Sequence, residues 1–472
     1  MRVDVAVIGG GVSGLSAAWA LQRRGYEVAV LERQVRAGGN AISERIGGFL
    51  MEHGPSSVNA AAPAAGAVST ALGLDSAWCE LGAGVRYRYL VGAAGLHRIG
   101  AHPLGFLCSG YLSPGARLRM LGEGLVPRGV AGAEETVEAF WTRRFGPEFA
   151  ARVIDPLVGG LFAGRADRLS MPAVFPALVE MERQYGSITA TLLRRGHGWG
   201  RGHKPMPGRR LYSWREGIGA LPAALAAALG PALRTGAVAR RVARRGDGYR
   251  IDLGAGGTLA ARAVIVATQP HVAAGLLDGL DPAAAEAAAA LDAPPLAVVF
   301  LGYQRARVAH PLDGLGYLAP RGAGRALSGA LFCSTMFPGR APVGHVALAG
   351  YLGGARAPEL ALRPARELVV LARAEFGDLL GARGAPVVTR VRQWPRGLPQ
   401  YTIGHGARVA ALRGAEARVP GLFVTGNYLQ GISLGACVDQ AHAVAARAEA
   451  YLEGTRARST HAHEWVGRAN SA

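Results

Sequence analysis

The chain begins with an almost unbroken apolar run, Val3 to Ile8, the pattern of a parallel strand buried on both faces. Ser13 to Arg24 then reads as a helix stopped by Gly25, and Glu27 to Leu31 as a second buried strand, completing one strand–helix–strand unit. Glycine-rich loops extend to about residue 60 and an alanine-rich helix to about Leu74, while Val85 to Ile99 has the form of a hairpin turning at Gly92 to Gly95. From His102 to Arg210 strand alternation disappears. Proline-punctuated helices are predicted at Glu134–Phe145, Pro147–Val158 and Met171–Met181, so this stretch reads as a helical insertion. Beyond it a helix starts near Pro222, strands follow at Val238–Ala243, Tyr249–Leu253 and Ala261–Pro270, residues 295–351 are strand-rich, and Ala365–Leu380 is helical. Close to the end, apolar Leu422–Thr425, a glycine-rich turn and an alanine-rich helix repeat the grammar of the opening unit; the polar tail after Gly454 is expected to fray.

Composition adds constraints. Half of the 472 residues are apolar, enough for two or three globular domains. The net charge of +19 is almost all arginine, Lys204 being the single lysine, and a field of that sign favours anionic partners. Cys79, Cys108, Cys333 and Cys437 form no C-x-x-C pair, so reduced thiols are expected. A strand already under way at Val3 leaves no room for a targeting segment, and no run of about 18 strongly apolar residues occurs. A cytoplasmic protein that lies on a membrane without spanning it fits these features. No histidine spacing suggests a metal site; His461 and His463 read as solvated.

The first candidate chemistry is Gly9, Gly11 and Gly14, a G-x-G-x-x-G placed directly after a strand and opening a helix. The first glycine permits the turn, the second admits a pyrophosphate to the backbone, and the third lets helix and strand pack closely. Glu32 ends the second strand at the distance suited to a ribose hydroxyl pair. Arg33, Arg36, Gly38 and Gly39 follow, and "MEHGPSS" contributes Gly54, Pro55 and Ser56 as another small-residue turn. The late unit carries Gly426, Asn427, Gly431, Ile432 and Ser433, with backbone amides opening a helix that can stabilise negative charge. It lacks an acidic ribose ligand, so it reads as the other wall of one site.

The glycine pair after Glu32 resembles that of flavoproteins in the amine-oxidase/phytoene-desaturase superfamily, which implies FAD. A more specific resemblance runs nearly end to end through "VEAFWTRRFGPEFAARVIDPLVGGLFAGRADRLSM", "YGSITATLLRRG", "LYSWREGIGALP", "LFCSTMFPGRAP", "LPQYTIGHG" and "GLFVTGNYLQGISLGACVDQA". Together these are similar to the oxygen-dependent protoporphyrinogen oxidases, nearest to the plant chloroplast and cyanobacterial kind. The resemblance implies an α/β + α fold: a discontinuous Rossmann-like FAD-binding domain (1–84, 211–270 and 386–454), a strand-rich, p-hydroxybenzoate-hydroxylase-like substrate domain (85–100 and 271–385), and a helical membrane-associating insertion (101–210). It also implies O2-dependent oxidation of a tetrapyrrole with release of H2O2. The flavin would carry that chemistry, so no catalytic side chain is assigned. Arg86 matches the family's propionate-binding arginine, with Arg88 and Arg98 as neighbours able to take the role. Phe332 matches a ring-stacking phenylalanine, Leu318 is placed on the opposite face of the macrocycle, and Gly160, with Gly164, is placed where backbone approaches substrate or flavin. Val238 joins the cofactor-binding set. Arg165 stands where the family often has an acidic residue, and Cys437 falls near the flavin as a buried thiol.

Competing readings remain open. An amine oxidase would need a lysine near the flavin, and Lys204 lies in a Pro/Gly-rich basic loop. A carotenoid desaturase shares the cofactor motifs alone. Coproporphyrinogen III oxidation differs only in a substrate with four carboxylates, and a degenerate flavin or tetrapyrrole carrier would have the fold without the turnover. The run Arg183–Arg215, with eight basic and no acidic residues, reads as a solvated face or a lipid-facing one; no nucleic-acid recognition module accompanies it. A homodimer is left open.

Overall fold

The structure, a computed structural model, describes residues 2–59, 62–99, 109–130, 132–191 and 211–469, with side chains to Thr455. Lys204, Cys108, the 192–210 part of the basic run and the side chains of His461 and His463 lie outside the described residues.

The opening strand, Arg2–Ile8, sits inside a seven-stranded sheet. It pairs in parallel with Val28–Glu32 on one side and with Thr258–Val266 on the other. Leu233–Thr235 extends one edge, while Gly248–Asp252 and Arg241–Arg245 form an antiparallel extension on the other. Leu422–Val424 pairs in parallel with the far end of Thr258–Val266, so the late glycine-rich unit enters the same sheet as the first one. Helices cover both faces, which is why the central strands are apolar on both sides. Helices Val12–Gln22, Ala220–Leu229 and Leu434–Ala469 bury Leu15, Leu221, Leu225, Val438 and Ala445 on one face, and Pro270–Leu277, Pro282–Ala289 and His405–Arg418 bury Leu276, Ala284 and Leu412 on the other.

A second seven-stranded sheet runs in the order Val388–Trp394, Leu296–Gln304, His345–Gly353, Gly329–Phe332, Gly314–Leu318, Tyr87–Gly92, Gly95–Ile99, antiparallel except between Gly314–Leu318 and Tyr87–Gly92. One face packs on helix Ala365–Leu380 through Val299, Leu348, Phe332 and Phe376. The other meets the hairpin Ser43–Ile46/Phe49–Glu52 through Phe49, Met51, Val298 and Phe300, and the helical insertion through Leu90 and Leu318.

The regular elements of the insertion among the described residues are helices, including Pro114–Leu121, Val137–Phe145, 147–162, Met171–Val174 and Pro176–Tyr185. Around fully buried Arg144 stand Glu123, also fully buried, and Glu182 at 3.2 Å, with Arg143 bridging Glu182 at 2.7 Å and Glu135. Charges this deep persist only when paired, and deleting one partner of such a set costs about 3–5 kcal/mol.

Several expectations shift. The "loops" before residue 60 contain the Ser43–Glu52 hairpin, whose four-residue strands are too short to show a period; Gly47 and Gly48 turn it with φ of +56° and +80°. The strand expected at Val238 begins at Arg241 instead. The helix beginning at Pro147 extends to Phe162 through a wider turn at Ala150–Ile154. The last helix runs to Ala469, past the Gly454 at which fraying was expected.

Candidate active site

Gly9 leaves the first strand with φ +110°, and a Cβ there would lie 2.7 Å from the Ala267 carbonyl oxygen. At Gly14 a Cβ would lie 1.9 Å from the Gly9 oxygen. Both glycines are therefore demanded by packing. Gly11 differs: its Cβ would meet nothing nearer than the Gly39 Cα at 4.0 Å, so it faces open space at the N-terminus of helix Val12–Gln22, whose first amides have no side-chain cap. That is where a phosphate would sit. Glu32, 8% exposed, accepts from the amides of Gly10 and Gln34, each at 2.8 Å, one on each carboxylate oxygen. Each oxygen keeps a lone pair for a ribose hydroxyl. The Ala237 amide donates to the Glu32 carbonyl at 2.9 Å, bringing half-exposed Val238 beside the same end of the crevice.

The second glycine pair closes over the first. The Gly38 amide donates to the Gly10 carbonyl at 2.7 Å, and a Cβ on Gly39 would lie 3.1 Å from the Gly11 Cα. Arg36 donates to the carbonyls of Ala37 and Gly39, and burial together with the nearby Arg392 lowers its pKa. Arg392 stacks on Trp394, and its Nε is buried without a partner. Arg33 and Arg396 lie close enough to depress His271, whose burial is the larger cause. Arginines without a salt bridge held this near each other favour an anion, and a pyrophosphate would fit the set. Gly54 packs on the Asn40 carbonyl, 2.1 Å from where its Cβ would be, so the half-buried Pro55 and Ser56 adjoin the same turn.

The late unit supplies the facing wall. Gly426 and Gly431 have φ of +153° and +76°. The half-buried Asn427 and Ile432 flank the turn between them, and Ser433 Oγ caps the last helix by accepting from the Ala436 amide at 3.1 Å. Cys437, one turn in, hydrogen-bonds with Ser13 of the first helix, so the two helix N-termini converge. Burial pushes the Cys437 thiol up to about 11, leaving it protonated and inert. Gly435 makes room for Ala62: a Cβ on the glycine would lie 2.3 Å from the Ala62 Cβ.

The residues expected to meet substrate divide between the two faces of the second sheet. Phe332 is fully buried on the face covered by helix Ala365–Leu380, against Tyr89 and His310. Strand alternation turns it away from the face opposite the helix and presents Leu331 there instead. Register places half-buried Leu318, Leu331 and Tyr351 together on that opposite face. Leu318 and Gly160 meet directly: a Gly160 Cβ would lie 2.3 Å from Leu318 Cδ2, so the glycine seats the leucine. Arg86 and Arg88 are exposed and, among the described residues, have no carboxylate partner, whereas Arg98 lies over the Tyr87 ring and bonds with Tyr89. Arg165 pairs with Asp167 at 2.7 Å, so an acidic group is restored two residues on. Arg392, Trp394, Tyr401 and His405 escaped assignment from sequence because their neighbours come from distant segments: Arg36 for Arg392, the His53 carbonyl for Trp394, and the 426–433 turn for Tyr401 and His405.

The chain matches the family described as flavin containing amine oxidoreductase over residues 12–448. It is 31% identical to the chloroplastic protoporphyrinogen oxidase of Oryza sativa subsp. japonica, with 96% of this chain and 89% of the relative covered. It is also 31% identical to the coproporphyrinogen III oxidase of Propionibacterium freudenreichii subsp. freudenreichii, covering 93% and 89%. A crystal structure from Exiguobacterium sp. 255-15, assigned to the protoporphyrinogen oxidases, superposes with a TM-score of 0.82 at 22% identity over 96% of this chain and 99% of that one, a likeness of fold. With the glycine turns, the ribose-ready carboxylate and the arginine cluster converging on one crevice, the chain belongs to the flavin containing amine oxidoreductase family: an FAD-dependent oxidoreductase with a Rossmann-like sheet beside a second mixed sheet, whose homologues include protoporphyrinogen and coproporphyrinogen III oxidases.

Proposed function

We propose that the chain oxidises protoporphyrinogen IX to protoporphyrin IX, six hydrogens leaving the macrocycle while three O2 become three H2O2. FAD supplies the redox chemistry when bound. Gly11, Glu32, Arg36, Gly38 and Gly39 would hold its adenosine and pyrophosphate, and the 426–433 turn its other end. The protein's further task is to hold a flat apolar macrocycle bearing carboxylates. The observation that carries this reading is the sheet face with half-buried Leu318, Leu331 and Tyr351, next to the strand Tyr87–Gly92, which the exposed Arg86, without a carboxylate partner among the described residues, precedes. Coproporphyrinogen III is the second reading. A second unpaired arginine, Arg88, two residues along, suits a substrate with more carboxylates, and the Propionibacterium relative is as similar as the plant one. Aerobic turnover of the two porphyrinogens side by side, followed by porphyrin fluorescence and peroxide yield, tests both; oxidation of neither refutes them.

The substrate's poor solubility would be served by a membrane surface. Leu118, Leu121 and Leu125, 71%, 70% and 90% exposed at i, i+3 and i+7, form an apolar stripe on the helical insertion, and we place the peripheral contact there. No helix among the described residues is long and apolar enough to cross a membrane. Sedimentation with phosphatidylglycerol vesicles should fall when the three leucines are changed to serine; unchanged binding refutes the assignment.

A further inference from the structure

The segment "LPQYTIGH", residues 398–405, is tied on two sides. Towards the helical insertion, the Gln400 side chain donates to the Phe162 carbonyl at 2.9 Å, the Tyr401 carbonyl accepts from the Ser170 amide at 2.8 Å, Thr402 bridges Leu169, and the Gly404 amide donates to Glu134 at 2.8 Å. Towards the cofactor wall, the Tyr401 hydroxyl donates to the Asn427 carbonyl, and His405 Nε2 reaches the Leu429 carbonyl at 3.2 Å. The two rings stack at 4.0 Å and 17°, and both are almost fully buried, at 1% and 3% exposure. A carbonyl only accepts, so His405 carries its proton on Nε2. Burial, the largest cause, holds the imidazole below its usual pKa, with Arg408 acting in the same direction and Glu134 and the Leu429 carbonyl opposing, so the ring stays a neutral donor.

We propose that Tyr401 and His405 are positioning residues: a stacked pair that fixes the carbonyls of Asn427 and Leu429, and so makes the helical insertion set the position of the turn that holds the flavin end of FAD. Two features support this beyond packing. The bonds go to carbonyls two residues apart in a turn bounded by Gly426 and Gly431, and the segment is tied to the insertion through Gln400, Tyr401, Thr402, Ile403 and Gly404, besides one bond from the Gln400 amide to the Asp292 carbonyl and those that Arg408 donates to Thr402 and Ile403. Glycine at each end gives this turn backbone freedom; the buried Tyr428 and Leu429 side chains anchor its middle, and the two buried donors fix the direction of the Asn427 and Leu429 carbonyls. The inference rests on reading the 426–433 turn as a wall of the FAD site.

The test uses the purified holoprotein. Tyr401→Phe keeps the ring and removes the hydroxyl. His405→Ala removes the donor and the stack, while His405→Gln restores an N–H. With FAD saturating, Tyr401→Phe and His405→Ala should each shift the flavin's visible absorption and midpoint potential and release FAD roughly tenfold faster. His405→Gln should recover most of the His405→Ala effect, and the double variant should be less than additive. A purely structural role would lower the unfolding temperature without moving the flavin spectrum or potential. Unchanged spectrum, potential and release in both single variants would overturn the proposal. Wild-type protein purified without FAD, and unable to take it up, would instead overturn the reading of the turn itself.

Discussion

Substituting Gly11 and Gly14 by alanine separates what the fold requires from what the cofactor requires. At Gly14 the new methyl carbon would stand 1.9 Å from the Gly9 carbonyl oxygen, more than 1 Å inside the closest approach real Cβ atoms make. That neighbour is backbone, so relief requires helix Val12–Gln22 to move off the strand beneath it. Overpacking of this kind costs about 1–3 kcal/mol, and the absence of a movable side chain puts Gly14→Ala at the upper end. At Gly11 the backbone has φ −76°, open to any residue, and the methyl meets nothing nearer than 4.0 Å. Folding should therefore tolerate Gly11→Ala within about 0.5 kcal/mol, helped by the smaller entropy of the unfolded chain. The methyl does occupy the space beside the helix N-terminus through which a pyrophosphate must pass. We expect a loss of FAD affinity of roughly a hundredfold, about 2.7 kcal/mol. Thermal unfolding of FAD-stripped protein, together with FAD titration by flavin fluorescence quenching, reads the two quantities independently. Gly11→Ala should leave the stripped protein's unfolding temperature where it was and abolish most of the stabilisation by added FAD. Wild-type FAD affinity in Gly11→Ala, or destabilisation matching that of Gly14→Ala, would refute the assignment of open space at Gly11 to the cofactor.

Three further outcomes are expected. Arg86→Ala should raise KM for the porphyrinogen at least tenfold with FAD content unchanged, since its guanidinium has no other partner to lose; an unaltered KM removes it from the substrate site. Phe332→Ala should cost about 3–5 kcal/mol of stability as a core cavity and leave KM of the folded fraction alone; a KM increase without destabilisation would restore the ring-stacking role. Burial pushes the Glu52 carboxyl from 4.5 up to about 6, despite Arg340 at 3.2 Å, so the native state holds this proton longer than the unfolded chain. Stability should consequently fall as pH rises from 4.5 to 6, by at most ~2 kcal/mol, and Glu52→Gln should flatten that slope in urea titrations; a slope of the opposite sign, or one unchanged by the substitution, refutes the buried-acid account.

The cofactor half of the molecule was legible because its constraints are local. Gly9, Gly11, Gly14 and Glu32 sit within one strand–helix–strand unit, and the spacing alone places the turn, the close packing at Gly14 and the carboxylate at the strand end. Leu422–Val424 could be assigned to the same sheet because a buried parallel strand announces itself by its apolar run. The substrate side was less legible for a physical reason. In a strand the face a residue occupies flips with each position, so a motif match at Phe332 cannot distinguish the ring that lines a site from the ring one residue away that packs a helix. The Ser43–Glu52 hairpin escaped because strands of four residues carry too few positions for a period, and Arg392, Tyr401 and His405 because their partners are supplied by remote turns.

The arginine excess, which composition alone cannot assign, divides into two physical uses. Arg144, Arg340 and Arg356 are nearly or fully buried and each is matched to a carboxylate: Glu123 within the insertion, Glu52 between the first hairpin and the second sheet, and Asp155 between sheet and insertion. Gly159 exists to admit the last of these, since a Cβ there would lie 2.2 Å from the Arg356 guanidinium. These pairs fix how the parts abut, and their charges cancel inside the protein. Arg33, Arg36, Arg392 and Arg396 near the glycine turns, with Arg86 and Arg88 at the start of strand Tyr87–Gly92, form no salt bridge among the described residues, Glu32 acting on Arg36 only at longer range. Unpaired cations clustered against their mutual repulsion oppose the compact state until an anion joins them. Their location therefore carries more information than their number: they gather where a pyrophosphate and a carboxylated macrocycle would be held, and the field they create favours both arrivals over neutral competitors.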